Sequence, residues 1–365
     1  MNDRDRFVRW MTGQSVDRPP FWIAWGPWSS TWKRWKREGL PEGITNWGEA
    51  HRSFGCDVAP LVVPVNLGPC PAIEQTRLYE DAESITFIDG WGIKRRNFKT
   101  HESMSEFLES PVKNRTDWQR FKAERLDPEH SDRLAGEWLE KARLWMERGY
   151  PVQLGSFPDC GLYGSIRWLL GDEECLVAFY TAPDLLHEIM ERMTDVYLTV
   201  FQKVVDAGVR VDVIHMWEDM AGRQGPLIGP KHFEEFISPQ YRRINAFAQR
   251  HDIPLMSMDT DGRFDDIVPP MTVAGINYVY PLEVAAGCDV NVMREKYPQL
   301  AFMGGIDKRE LAKGEAAIDR ELDRVAPALE KGRYIPELDH LVPDDVSWEN
   351  YSYYVARLKK LVGKE

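Results

Sequence analysis

Two periodicities divide the chain. Apolar runs of strand length recur along it, and the stretches between them keep the three- and four-residue spacing of amphipathic helices. Eight runs qualify as inner strands: PFWIAW (20–25), VAPLVVPV (58–65), PVQLGS (151–156), VDVIHMW (211–217), IPLMSM (253–258), INYVYPL (276–282), LAFMGGI (300–306) and RYIPEL (333–338). Helical patterns cover 132–149, which ends at a glycine stop, 230–252, with a break at Pro239, and 308–332. The last, 347–362, starts at Ser347 as N-cap and keeps Trp348, Tyr351, Val355, Leu358 and Leu361 on one face.

Strands that alternate with helices pair in parallel through crossovers. Eight such units predict a single α/β domain, a (β/α)₈ TIM barrel spanning 1–365. Segment 76–99 breaks the rhythm by alternating like strands around Asp89-Gly90, which predicts a β-hairpin inserted after the second strand.

Composition narrows the function. A net charge of −12 opposes a nucleic-acid partner, whose binding footprint is basic. No stretch is long and apolar enough for a membrane span, and the N-terminal residues lack a signal-peptide core, so a cytoplasmic location is expected. Five scattered cysteines without a C-x-x-C pair read as reduced thiols rather than a thiolate metal site. Tryptophans crowd the early chain, Trp25 and Trp28 among them. They read as core and lid packing, or as an aromatic wall for a flat substrate.

In barrels of this kind chemistry sits at the C-terminal ends of the strands. There the sequence places Glu218 and Asp219, Asp259 and Asp261, Glu283, Asp307, and Asp339 followed by His340. Carboxylates gathered in one mouth need a cation or shared protons. Several of them also have a plainer role. Asp259 and Asp261 could form an Asp-Gly turn, Glu218 could start a helix, and Asp307 could cap the helix after it. Cys160 and Arg167, near the exit of the third strand, are candidate substrate contacts, whereas His187 and His232 lie on helix faces.

Several segments resemble the uroporphyrinogen decarboxylase superfamily: RDRFVRWMTGQSVDRPPFW at the start, GGIDKRELAKGEAAIDRELDRV, and GRYIPELDHLVPDDVSWENYSYYV near the end. The resemblance implies a (β/α)₈ barrel and one of two chemistries, cofactor-free porphyrinogen decarboxylation or corrinoid-dependent methyl transfer. The decarboxylases hold their acidic substrate with arginines after the first strand, where this chain has WGPWSSTW. The methyltransferases carry a zinc-binding His-x-Cys-Gly where this chain reads Asp259-Thr260-Asp261-Gly262.

The resemblance therefore implies a divalent metal, zinc foremost, held by Asp259, Asp261 and His340. Glu218, Asp219 and Asp307 would act in catalysis, and Trp25, Trp28, Cys160, Arg167 and Glu283 would face the substrate. The expected reaction moves a methyl group from a small O-methyl compound to a corrinoid on a separate protein, since the chain shows no Asp-x-His-x-x-Gly corrinoid signature. The alternative is a metal-free decarboxylase or lyase acting on another acid. A homodimer is compatible with either reading.

Overall fold

The computed structural model describes residues 1–100 and 104–365. Its centre is a seven-stranded parallel sheet made of β1 (Leu61–Val62), β6 (Val152–Leu154), β7 (Val213–Trp217), β10 (Leu255–Asp259), β11 (Tyr278–Leu282), β12 (Ala301–Ile306) and β13 (Tyr334–Leu338), in that spatial order. Between β1 and β6 the chain builds an antiparallel sheet of β2 (Thr76–Glu80), β3 (Ser84–Ile88), β4 (Lys94–Phe98) and β5 (Glu106–Glu109). The sequence pattern suggests one hairpin here, but there are four strands. A short pair, β8 (Ala221–Gly222) and β9 (Gly225–Pro226), follows β7.

Both faces of the parallel sheet are covered, as its near-continuous apolar strands require. Val213, Leu255, Tyr278, Met303 and Ile335 point to one face, where Phe7 and Met11 of the helix Asp3–Met11 pack against them with Trp22. The helices occupy the other face. The longest, Pro183–Asp206, buries Leu186, Ile189, Met193, Val200 and Val204 at helical spacing. The helix Trp348–Leu361 starts as expected, with the Ser347 side chain accepting the Asn350 N–H at 3.2 Å.

Two expected strands changed. VAPLVVPV supplies only Leu61–Val62 to the sheet, because Pro60 and Pro64 bracket them and cannot donate to a ladder. PFWIAW joins no ladder. It lies beside β13 at one end, where the Ala24 N–H donates to the Glu337 carboxylate at 3.1 Å, and beside Asp57, whose N–H donates to the Phe21 carbonyl at 3.0 Å. A side chain thus takes the bond that a neighbouring strand would otherwise supply. Among the described residues no helix is long and apolar enough to cross a membrane.

Candidate active site

The register brings the strand ends to one edge of the sheet. Trp217 of β7 lies opposite Asp259 of β10, which lies opposite Tyr280 of β11, and Ile306 of β12 lies opposite Leu338 of β13. The residues just past these ends therefore gather in one mouth. Leaving β10, the chain turns through Asp259-Thr260-Asp261-Gly262. Gly262 has φ 76°, and a Cβ there would sit 2.7 Å from the Gly222 backbone, so only glycine fits. Thr260 is buried and accepts the Met220 N–H at 3.1 Å. The turn is therefore held from two sides. The segment is both a turn and a place where acids collect.

Asp261 is the centre of the mouth. Its carboxylate stands 3.8 Å from His340 Nε2, and the His340 ring stacks on Trp25 with 5.2 Å between centroids and 15° between planes. Burial raises the Asp261 carboxyl to about 7, with Asp219, Glu283 and Asp339 adding to the rise and Lys308 opposing it. Burial also raises Asp259, reinforced by Asp261 and then Asp219. His340 is lowered, first by burial and then by Lys308. At neutral pH the mouth thus pairs a neutral imidazole with a carboxyl that is partly protonated.

The surrounding groups hold this arrangement in place. Glu283 accepts the Gly262 N–H at 3.0 Å. Asp339 is fully buried, accepts the N–H groups of Val284 at 3.1 Å and Lys308 at 3.2 Å, and is raised by burial to about 6. Asp219 has a left-handed backbone with φ 46° and forms an ion pair with Arg167, which also binds Asp172. A non-glycine residue in that region is a mark of constraint.

Other expected site residues lie elsewhere. Glu218 faces away from the mouth. It is fully buried and accepts the N–H groups of Leu162 at 2.8 Å and Gly164 at 3.0 Å together with the Tyr241 hydroxyl, so it caps the helix Leu162–Leu170. Asp307 is likewise a cap. It accepts the Arg309 N–H at 2.9 Å and two bonds from the Arg309 guanidinium. Cys160 touches no open space, since its thiol packs against Met216 at 3.7 Å in the core. Arg167 is committed to its two aspartates. Trp28 begins the helix Ser29–Arg37 and lines a surface cleft with Lys33, Lys99 and Asp344.

Sequence reasoning passed over Lys308, although it follows Asp307 at a strand end and is the cation that opposes the rise of Asp261 and Asp339. It also passed over a polar row among the inward residues below the mouth. There His215 Nδ1 meets Ser257 Oγ at 2.9 Å and the Tyr280 hydroxyl at 3.0 Å. Glu337, fully buried with Oε1 unpartnered, was missed as well. These residues lie within strands, where a polar side chain could be recognised only by its two-residue phase with inward neighbours.

Among the described residues, no three His, Cys, Asp or Glu side chains are grouped closely enough to hold an ion. What the cluster offers is proton transfer: carboxyls raised toward neutrality, next to a neutral histidine.

A parallel α/β sheet with ionisable groups crowded at the strand C-termini defines the class as an enzyme scaffold. Residues 171–361 match the uroporphyrinogen decarboxylase (URO-D) family, and the chain belongs to it. The uroporphyrinogen decarboxylase of Synechococcus sp. (strain JA-3-3Ab) is 21% identical over 380 residues, covering 99% of this chain and 94% of that protein. The uroporphyrinogen decarboxylase of Campylobacter concisus (strain 13826) is 24% identical over 191 residues, and the chain spans only 52% of that relative's length. In three dimensions a methyltransferase from Methanosarcina mazei matches with a TM-score of 0.63 and 16% identity, covering 99% of both chains, which shows a shared fold.

Proposed function

We propose that this chain is a methyltransferase-like member of the family that takes a methyl group from the oxygen of a small O-methyl compound, with Asp261 as the proton donor. On this reading the (β/α)₈ architecture is complete, with segment 20–25 as its eighth wall. The observation that carries the proposal is the Asp261 carboxyl, raised to about 7 and set 3.8 Å from His340. When the substrate's C–O bond breaks, the electron pair goes to oxygen, and that oxygen needs a proton. A carboxyl with a pKa near working pH can supply it, and such a donor contributes roughly 10²–10⁴-fold in rate. Lys308, whose charge opposes the rise of Asp261, would stabilise the charge that builds on the oxygen, and Trp25 backs His340. The methyl acceptor, a reduced corrinoid on a separate protein, supplies the attacking electron pair. A divalent metal belongs to this reading only if further donors complete the Asp259, Asp261 and His340 set.

The test gives the purified chain reduced corrinoid and a panel of methoxylated aromatics, and follows cobalt methylation from pH 5 to 9. The expected rate falls as pH rises through about 7, where Asp261 loses its proton. Asp261→Asn loses at least 100-fold, the lower end of the range for a general acid. No methylation by the unaltered chain, or a rate indifferent to Asp261→Asn, refutes the proposal.

Decarboxylation is the second reading, favoured by likeness along nearly the whole length to a uroporphyrinogen decarboxylase. There Asp261 would protonate the carbon left after carbon dioxide departs. Carbon dioxide release from candidate acids, without cobalt methylation, selects it.

A further inference from the structure

A cavity that shares no lining residue with the acid mouth lies between the antiparallel sheet and the loop that follows β6. Its volume is about 440 Å³, within the range of small-molecule sites. Four aromatic side chains line it: Phe87, Trp91, Phe157 and Trp168. Phe157 is 55% exposed although it packs edge-on against Trp168 and Trp217. An aromatic ring left open inside a recess is a stacking surface for a planar ligand.

The polar groups of the cavity set the kind of ligand. Asp159 lines the recess and accepts the Trp91 Nε1–H at 2.8 Å through Oδ1, so its second oxygen remains to accept a ligand's donor. Gly68 leaves room for it, since a Cβ at that position would lie 2.7 Å from Asp159 Oδ1. Among the described lining residues the one cation, Arg95, is already neutralised by Asp89 at 2.6 Å and packed over Trp168 at 4.5 Å. The described residues of the cavity therefore present aromatic walls, an acceptor and no unpaired cation. Such a lining suits a flat ring that donates hydrogen bonds, and it rejects a carboxylate.

We infer that this cavity is a binding site for a small planar aromatic compound with hydrogen-bond-donating substituents, such as a phenol, separate from the acid mouth. It stands whatever reaction the mouth performs. It also has a physical link to the mouth. Trp168 stacks on Trp217 with 4.9 Å between centroids, Trp217 ends β7 just before Glu218 and Asp219, and Arg167 next to Trp168 holds Asp219.

The experiment is calorimetric titration of the full chain with catechol, 1,2-dimethoxybenzene and benzoate. Catechol is expected to bind saturably, with the dimethoxy compound and benzoate at least tenfold weaker. Phe157→Ala weakens catechol at least tenfold. Asp159→Asn keeps an oxygen for Trp91 but turns an N–H₂ group toward the recess. It weakens catechol at least fivefold without weakening the dimethoxy compound, a reversal that general loosening would not produce. In Asp261→Asn a saturable catechol site that Phe157→Ala weakens remains. Absence of catechol binding up to millimolar concentration overturns the inference. So does equal binding of all three probes, and so does loss of catechol binding in Asp261→Asn, which would put the ligand in the mouth.

Discussion

Glu337 allows a quantitative test of how the interior is arranged. Its side chain is fully buried, Oε2 accepts the Ala24 N–H at 3.1 Å, and Oε1 has no partner. Burial raises its carboxyl from 4.5 to about 8. The folded state therefore keeps a proton that the unfolded chain releases above pH ~4.5. Stability from this group is complete below that pH and is lost as pH climbs to about 8. The shift is 8 − 4.5 = 3.5, and at 1.36 kcal/mol per pH unit the loss is on the order of 5 kcal/mol. Glu337→Gln keeps an acceptor for Ala24 and cannot ionise. Urea unfolding of both proteins at pH 5, 7 and 9 isolates the group, because other titrations cancel in the difference. Near pH 5 the variant should be slightly the less stable, since its amide N–H groups find no acceptor. By pH 9 the order should reverse in favour of the variant by a few kcal/mol, the direction that linkage requires. A difference that stays flat from pH 5 to 9, or that moves against the variant, would refute the reasoning.

Three further outcomes are expected. Gly262→Ala should destabilise the chain by about 1–3 kcal/mol and cut activity, because the turn needs a left-handed residue without a Cβ; its urea midpoint and turnover check this. Asp307→Ala should cost about 1 kcal/mol through the lost cap while leaving turnover near normal, which separates a cap from a catalytic acid. Protein purified without chelator should carry no stoichiometric metal at the mouth, and EDTA should not lower its melting temperature; one metal per chain, lost in both Asp259→Ala and His340→Ala, would restore the metal-dependent reading.

Much of the scaffold was legible because apolar strands alternate with amphipathic helices, and that pattern alone implies parallel pairing. The legible part stopped where proline intervened, as in VAPLVVPV, or where a side chain replaced a strand, as Glu337 does for Ala24. The mouth was legible to the same degree. Strand-end position located Asp219, Asp259, Asp261, Glu283 and His340, since parallel register carries all such ends to one edge. It could not tell direction. Glu218 and Asp219 are neighbours, yet a left-handed residue at Asp219 sends one carboxylate to a helix N-terminus and the other toward the mouth. Asp307 and Lys308 divide in the same way, the acid to a cap and the lysine toward the acids. The backbone angles that make these choices depend on tertiary contacts that a strand pattern does not contain.

The stack of Trp25 on His340 has a consequence in time. The segments it joins are also tied by the Ala24–Glu337 bond, across 313 positions of sequence. Contacts this distant form late in folding, because the loop between them must close first. During synthesis the carboxyls at the ends of β7, β10 and β11 emerge well before His340 does. The mouth therefore lacks its imidazole and its aromatic backing until nearly all of the described chain has emerged. A growing chain would carry the acids without the finished site, and competence would arrive in one late step.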